Sequence, residues 1–211
     1  RVLPPDGQVQ VAAPLKMSET TIRMAVISRI PWIKKQQLRF SQQARQSTRD
    51  MLSGECHYLW GRAYRLDVIE HVGRHYIQVS NDRIHLTISP NTTTENRLLV
   101  LHEFYRAELK NRLEKMIDYW QSEMAVQSSG FGIKRMKTRW GSCNTGTKKI
   151  WLNLELAKKP VECVEYVVVH ELAHLLEPSH NARFQAYMDK FMPNWRERKA
   201  LLNAMPLAAF E

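Results

Sequence analysis

Cysteine and glycine are scarce in this chain, three of the first and eight of the second among 211 residues. Cys56, Cys143 and Cys163 are odd in number and contain no C-x-x-C pair. That excludes the even disulfide framework that staples small secreted domains, and the expected setting is a reducing cytoplasm. Each cysteine reads as a small buried apolar residue. Long apolar runs are missing as well. No stretch reaches the roughly 18 uninterrupted apolar residues of a membrane-spanning helix. Residues 1–13 have no apolar run of the secretory-signal kind, so no membrane partner is expected. There is no internal repeat and no low-complexity tract, which excludes a solenoid.

The composition is otherwise that of a globular protein, 44% hydrophobic and 25% charged, and 211 residues can bury a real core. Thirty-one Lys and Arg against 21 Asp and Glu give a net charge of +10. The excess is local. Residues 16–49 carry eight basic side chains against Glu19, and residues 134–159 carry eight against Glu155. Each segment is +7, so the rest of the chain is net −4. Such segments read either as solvated faces or as surfaces for a polyanion, and nucleic-acid association through 16–49 and 134–159 is one expectation.

Hydrophobic periodicity and turn residues order the elements. Arg1–Leu3, a turn over Pro4–Gly7, and Gln8–Ala12 read as strand, turn, strand. Ser18 caps a first helix to Ser28, and Pro31 opens a second from Trp32 to about Gln46. Three alternating runs, 64–69, 75–79 and 83–88, read as an antiparallel meander. Thr92 and Glu95 have capping-box spacing at the head of a long helix ending near Ala125. Strands follow at 133–136, 138–143 and 149–152, the last two as a hairpin. Helices then run from Pro160 to Leu176, Asn181 to Phe191 and Trp195 to Leu202, with breaks at Pro178 and Pro193. The fold class is α+β, a β-rich part over 1–90 with two basic helices and a helix-rich part over 91–211, the two expected to form one compact unit.

The segment that carries chemistry is His170-Glu171-Leu172-Ala173-His174. Histidines four apart lie on one helix face, so both imidazoles can reach one metal ion. Glu171 is rotated off that direction and is placed to take a proton from a metal-bound water. His180 follows six residues after His174, beyond the Pro178 break, where the chain can reverse and bring it back. Three ligands and an open fourth position make the catalytic rather than the structural zinc pattern. The ligands are then His170, His174 and His180, the catalytic residue Glu171, and the cofactor Zn2+. The H-E-x-x-H-x5-H spacing equals that of the metzincin peptidases, but Glu177 stands where they have glycine, and neither Met192 nor Met205 makes a Met-turn.

Beyond the histidines, Arg139-Trp-Gly-Ser-Cys143, Ile150-Trp-Leu-Asn153, Pro160, Tyr166 to His174, His180-Asn-x-x-Phe184 and Met192-Pro193 resemble the YgjP-like predicted metal-dependent hydrolases, a minimal zincin group related to SprT and WLM peptidase domains. The match is specific from about Arg139 to Leu202 and collinear upstream. The resemblance implies a zincin-like metallopeptidase domain with His170, His174 and His180 as ligands and Glu171 as general base. In zincin peptidases an edge strand beside the active-site helix binds extended substrate, and Thr138 to Cys143 is the candidate here. Arg139, Trp140, Gly141 and Ser142 are thus candidate substrate-binding residues. The alternative for Trp140 and Gly141 is a core tryptophan and a tight turn. Asn153 either orients a ligand histidine or bonds the hairpin. Tyr166, one turn before His170, is a candidate oxyanion donor, with Tyr187 behind it.

These residues leave three functions in view. The first is a zinc metallopeptidase acting on a peptide or protein. The second is a metal-dependent nucleoside triphosphate pyrophosphatase or phosphohydrolase, which the basic segment 134–159 favours. The third is a nucleic-acid-associated module with a structural metal.

Overall fold

The computed structural model describes residues 1–3, 7–42 and 50–205. The expected turn at Pro4–Asp6 and the basic positions Arg45 and Arg49 lie outside the described residues. The chain divides into two units, Arg1–Thr48 with Met205–Glu211, and Arg49–Ala204. The strands read at 64–69, 75–79 and 83–88 therefore belong to the unit that carries the histidines, and the single compact unit expected from sequence is instead two.

In the first unit β1 (Val2–Leu3) pairs antiparallel with β2 (Gln8–Val9), as expected. Helix α1 (Glu19–Ile27) starts at Ser18, whose hydroxyl accepts the Thr21 N–H. Helix α2 (Ile30–Gln42) follows with Pro31 in its first turn, where the missing N–H costs nothing. Gln37 donates its side-chain amide to the Gly7 carbonyl at 2.9 Å and so ties α2 to the turn. No residue of α1 is buried.

The second unit begins with a sheet of β3 (Cys56–Leu59), β4 (Arg62–Glu70), β5 (Tyr76–Ser80) and β6 (Arg83–Ile88), in the order β3-β4-β6-β5. This corrects the antiparallel meander. β4 and β6 run parallel, with Leu66 opposite Ile84 and Val68 opposite Leu86. β5 lies outside β6 as the far edge. Alternation of apolar residues fixes which face of a strand is inward but not which strand is its neighbour. β3 escaped the sequence reading; it joins β4 through Trp60-Gly61, both at positive φ (51° and 83°), as a two-residue hairpin turn requires. Leu66, Ile84, Leu86 and Ile88 point inward at 0–1% exposure. On the outer face His85 bridges Asp67 (3.1 Å) and Ser80 (2.9 Å), a structural role as expected.

Helix α3 (Thr94–Met124) lays one buried stripe across this core, Leu101, Tyr105, Leu109, Leu113 and Ile117. Its cap is Thr93, one residue later than the spacing suggested, because the Thr92 hydroxyl is turned back to the Ser89 carbonyl. The second sheet has β7 (Gly130–Lys134), β9 (Lys149–Asn153) and β8 (Gly141–Asn144) in that order. β8 and β9 form the expected hairpin, and β8 is an edge. A 3-10 turn, Leu154–Lys158, then leads to α4 (Val161–Ala173), α5 (Ala182–Phe191) and α6 (Trp195–Ala204). Val164, Val167, Val168, Val169 and Leu172 of α4 are buried to 3% exposure or less. At about 1.5–3 kcal/mol per side chain, that burial fixes the helix without help from any ligand. The architecture is α+β. Among the described residues no helix is long and apolar enough to cross a membrane.

Of the cysteines, Cys163 is buried as expected, but Cys56 is exposed and Cys143 is only half-buried. All three are free thiols.

Candidate metal centre

Helix α4 ends at His174, and the chain turns through Pro178 before α5 begins. That reversal carries His180 back to the helix. One side-chain nitrogen from each of His170, His174 and His180 lies within 4.8 Å of the other two. His170 Nε2 and His180 Nε2 face each other at 2.9 Å. His174 Nδ1 lies 3.3 Å from the Glu177 carbonyl, which fits an N–H there and leaves Nε2 with a free lone pair. Burial, and then the neighbouring His174 and His180, push the His170 pKa down to about 3. Burial likewise lowers that of His174. Both imidazoles are thus neutral at pH 7, the form that ligates a metal.

His170 Nδ1 is buried without a hydrogen-bond partner, the one such side-chain atom among the described residues. An uncompensated buried nitrogen is costly in a core that otherwise satisfies its polar groups. Three imidazoles that close on one another, those of His170 and His174 held neutral by burial, make a donor set that fits a borderline-soft divalent cation such as zinc.

Phe184 was quoted in the sequence motif without a role. Its ring centroid is 5.0 Å from His170, 4.8 Å from His174 and 4.8 Å from His180, and the residue is 2% exposed. Asn181 caps α5 by accepting the Phe184 N–H at 3.0 Å, and so fixes where that ring enters. The signal available in sequence was its place three residues past a capping Asn.

Glu171 faces β8. It is 5% exposed, and burial raises its pKa to about 8, against the opposing pull of Arg139 and of the Cys143 backbone N–H that it accepts. Gly141 lies directly on it. A Cβ at that position would stand 2.5 Å from Glu171 Oε1. The glycine is needed for close approach rather than for a turn.

The cleft around these residues has a volume of about 670 Å³. Arg139, Trp140, Gly141 and Ser142 all line it. Only Gly141 onward is strand. Lys137–Arg139 form a loop, which corrects the expected strand start at Thr138. Asn153 explains the loop. Its side-chain amide donates to the carbonyls of Met136 and Arg139, both at 2.8 Å, and its oxygen accepts from Met136 N and Glu155 N. It holds the approach to β8, and none of its partners is a histidine. Trp140 is half-buried with the Lys159 ammonium 5.4 Å from its ring, so it is both packed and part of the cleft wall. Tyr166 is 6% exposed, stacks on Trp195 at 6.5 Å and lies 5.7 Å from His170. Burial holds its hydroxyl protonated, with a pKa of about 12. Tyr187 is not in the cleft wall; its hydroxyl accepts from Arg183.

Of the eight basic residues in 134–159, Arg139 alone lines the cleft. Lys134 and Lys149 sit over the Trp151 ring, and Lys158 pairs with Glu155 at 2.7 Å.

A family model described as YgjP-like, metallopeptidase domain, matches residues 1–205. No curated protein matches the chain. Among solved structures it is similar to the metallopeptidase zymogen of Pyrococcus abyssi abylysin, with a TM-score of 0.40 and 20% identity over 42% of this chain and 90% of that one. It is similar also to the zymogen of Methanocaldococcus jannaschii jannalysin, with a TM-score of 0.38 and 21% identity over 42% and 91%.

Proposed function

Because the chain belongs to the YgjP-like metallopeptidase domain family, we propose that it is a zinc-dependent peptidase in which Glu171 is the general base. The observation that carries this reading is the convergence of three histidine nitrogens beside a buried carboxylate that lines the same cleft. His170, His174 and His180 would hold the ion. When bound, zinc supplies Lewis-acid polarisation of a carbonyl and lowers the pKa of water toward about 7.

The remaining work falls to the chain itself. A Glu171 oxygen takes a proton from the attacking water and returns it to the amine that leaves. Accepting the Cys143 N–H holds the carboxylate against β8. β8 has a free edge, and an extended peptide can add to that edge by backbone hydrogen bonds. Tyr166, protonated across the working range, is the side chain near His170 that can donate to a developing oxyanion.

The nucleotide alternative draws on the charge of segment 134–159. Since all but one of those basic residues point elsewhere, the peptide reading has the stronger support. The test is hydrolysis of casein and of short peptides by the zinc-loaded protein, with Glu171→Gln beside it. The variant keeps its zinc and loses about 10²–10⁴-fold in rate, the usual worth of a positioned general base. Full activity in Glu171→Gln sinks the mechanism. Release of pyrophosphate from nucleoside triphosphates with no peptide cleavage sinks the peptidase reading.

A further inference from the structure

We propose that the cleft selects peptides carrying a carboxylate close to the scissile bond, from an acidic side chain or from a free C terminus. The inference rests on the peptidase reading above. Among the described residues that line the cleft, Arg139 and Lys199 are cationic, and Glu171 is the one acid. Glu171 is already committed, facing Gly141 and accepting the Cys143 N–H. Both cations are exposed, and neither is paired with an acidic side chain among the described residues.

They arrive from different elements. Arg139 stands on the loop that Asn153 pins in front of β8, and its charge acts on Glu171. Lys199 stands on α6, its ammonium 5.6 Å from the centroid of the Trp195 ring. Trp195 stacks on Tyr166, which lies next to His170, and the Lys199 charge reaches that histidine. β8 and α6 both pack against α4. A peptide bound at the histidines therefore meets one unpaired cation from the β8 side and another from the α6 side. A zinc ion adds charge of the same sign. A substrate carboxylate is the group that neutralises such a cleft, and a substrate lysine or arginine is the group it repels.

Each cation is solvent-exposed, so each contributes a factor of about two to five, and the pair about ten. The experiment uses the full chain loaded with zinc and a short acetylated peptide of small neutral residues. Glu, Gln or Lys is placed at each position in turn, and every peptide is made with a free and with an amidated C terminus. We expect kcat/KM for Glu to exceed that for Gln about five- to tenfold in at least one position, with Lys below Gln. The free-acid and amide arms separate a side-chain carboxylate from a terminal one. Arg139→Gln and Lys199→Gln each bring the Glu:Gln ratio toward one, and the double change Arg139→Glu, Lys199→Glu reverses it. A ratio taken within one preparation is not moved by partial loss of folded protein. A binding readout stands beside it: Glu171→Gln retains peptide without turnover, and fluorescence anisotropy shows tighter binding of the Glu peptide at low salt.

Equal rates for Glu, Gln and Lys peptides, with the neutral ones cleaved, overturn the carboxylate selectivity and leave the peptidase standing. A Glu preference that persists unchanged in both single variants overturns its assignment to Arg139 and Lys199. Failure of the zinc-loaded chain to cleave any peptide overturns the peptidase reading and the selectivity with it.

Discussion

Replacing Gly141 with alanine puts a methyl carbon 2.5 Å from Glu171 Oε1, 2.7 Å from its Cγ and 2.8 Å from its Cδ. Carbon and oxygen contacts are comfortable at roughly 3.5 Å, so the carboxylate must retreat by about 1 Å. It has little room, being 5% exposed and held by the Cys143 N–H. The φ angle of Gly141 is outside the left-handed region, so backbone strain does not confuse the result. A displacement of that size at a reacting group costs about 10²-fold, or about 2.7 kcal/mol of barrier. Overpacking adds a stability loss of about 1–3 kcal/mol. The three atoms nearest the new methyl all belong to Glu171, so the histidines keep their places. The assay is kcat/KM on a neutral peptide, with zinc per chain and the thermal midpoint measured on the same preparation. The expected result is a folded, zinc-replete protein with a hundredth of the activity. A zinc-replete Gly141→Ala protein within about threefold of the parent rate would refute the seating of Glu171 against β8.

The remaining predictions concern stability and metal. In the metal-free protein Glu171 has a pKa of about 8 against an ordinary 4.5, so the folded state holds its proton more tightly than the unfolded state does. Stability from this source is full below pH ~4.5 and is lost as pH rises through about 8, a change on the order of 5 kcal/mol at ~1.4 kcal/mol per unit. Denaturation in chelator at pH 5 and pH 9 will show it. Glu171→Gln removes that component, and an equal slope in the two proteins refutes it. Asn153→Ala strips four hydrogen bonds from a site 3% exposed and lowers stability by about 2–4 kcal/mol, read as a shifted denaturant midpoint. His174→Ala abolishes zinc retention through gel filtration while leaving the helical circular dichroism, because α4 is held by its buried valines.

The cluster of three histidines was legible because its geometry is local. A four-residue spacing on a helix brings two histidines to one face, and a proline break returns the third. The hairpin of 141–153 was legible for a similar reason, since turn residues mark it. Asn153 was not decidable, because its four partners are backbone groups that any sequence offers. The parallel pairing of β4 with β6 could not be read from alternation, which is the same for either neighbour. The part boundary near residue 90 followed a change from strands to helix. Packing ignores that change, and α3 packs against β5 and β6. The charge count misled in one way. Basic residues of 134–159 are close in sequence to the site, yet Lys134 and Lys149 rest on Trp151 instead.

The contact of Phe184 with all three imidazoles gives the site an unusual dependence. Polar outer partners commonly hold metal-binding histidines, and here the Nδ1 of His170 has none. For His170 an apolar ring stands where such a partner would be, so the spacing of the three histidines depends on how well α5 packs on α4. Under the zinc role proposed above, affinity for the ion would be written partly in hydrophobic volume. Sequence drift far from the histidines, if it shifts α5 by a fraction of an ångström, would then retune metal retention without touching a donor atom.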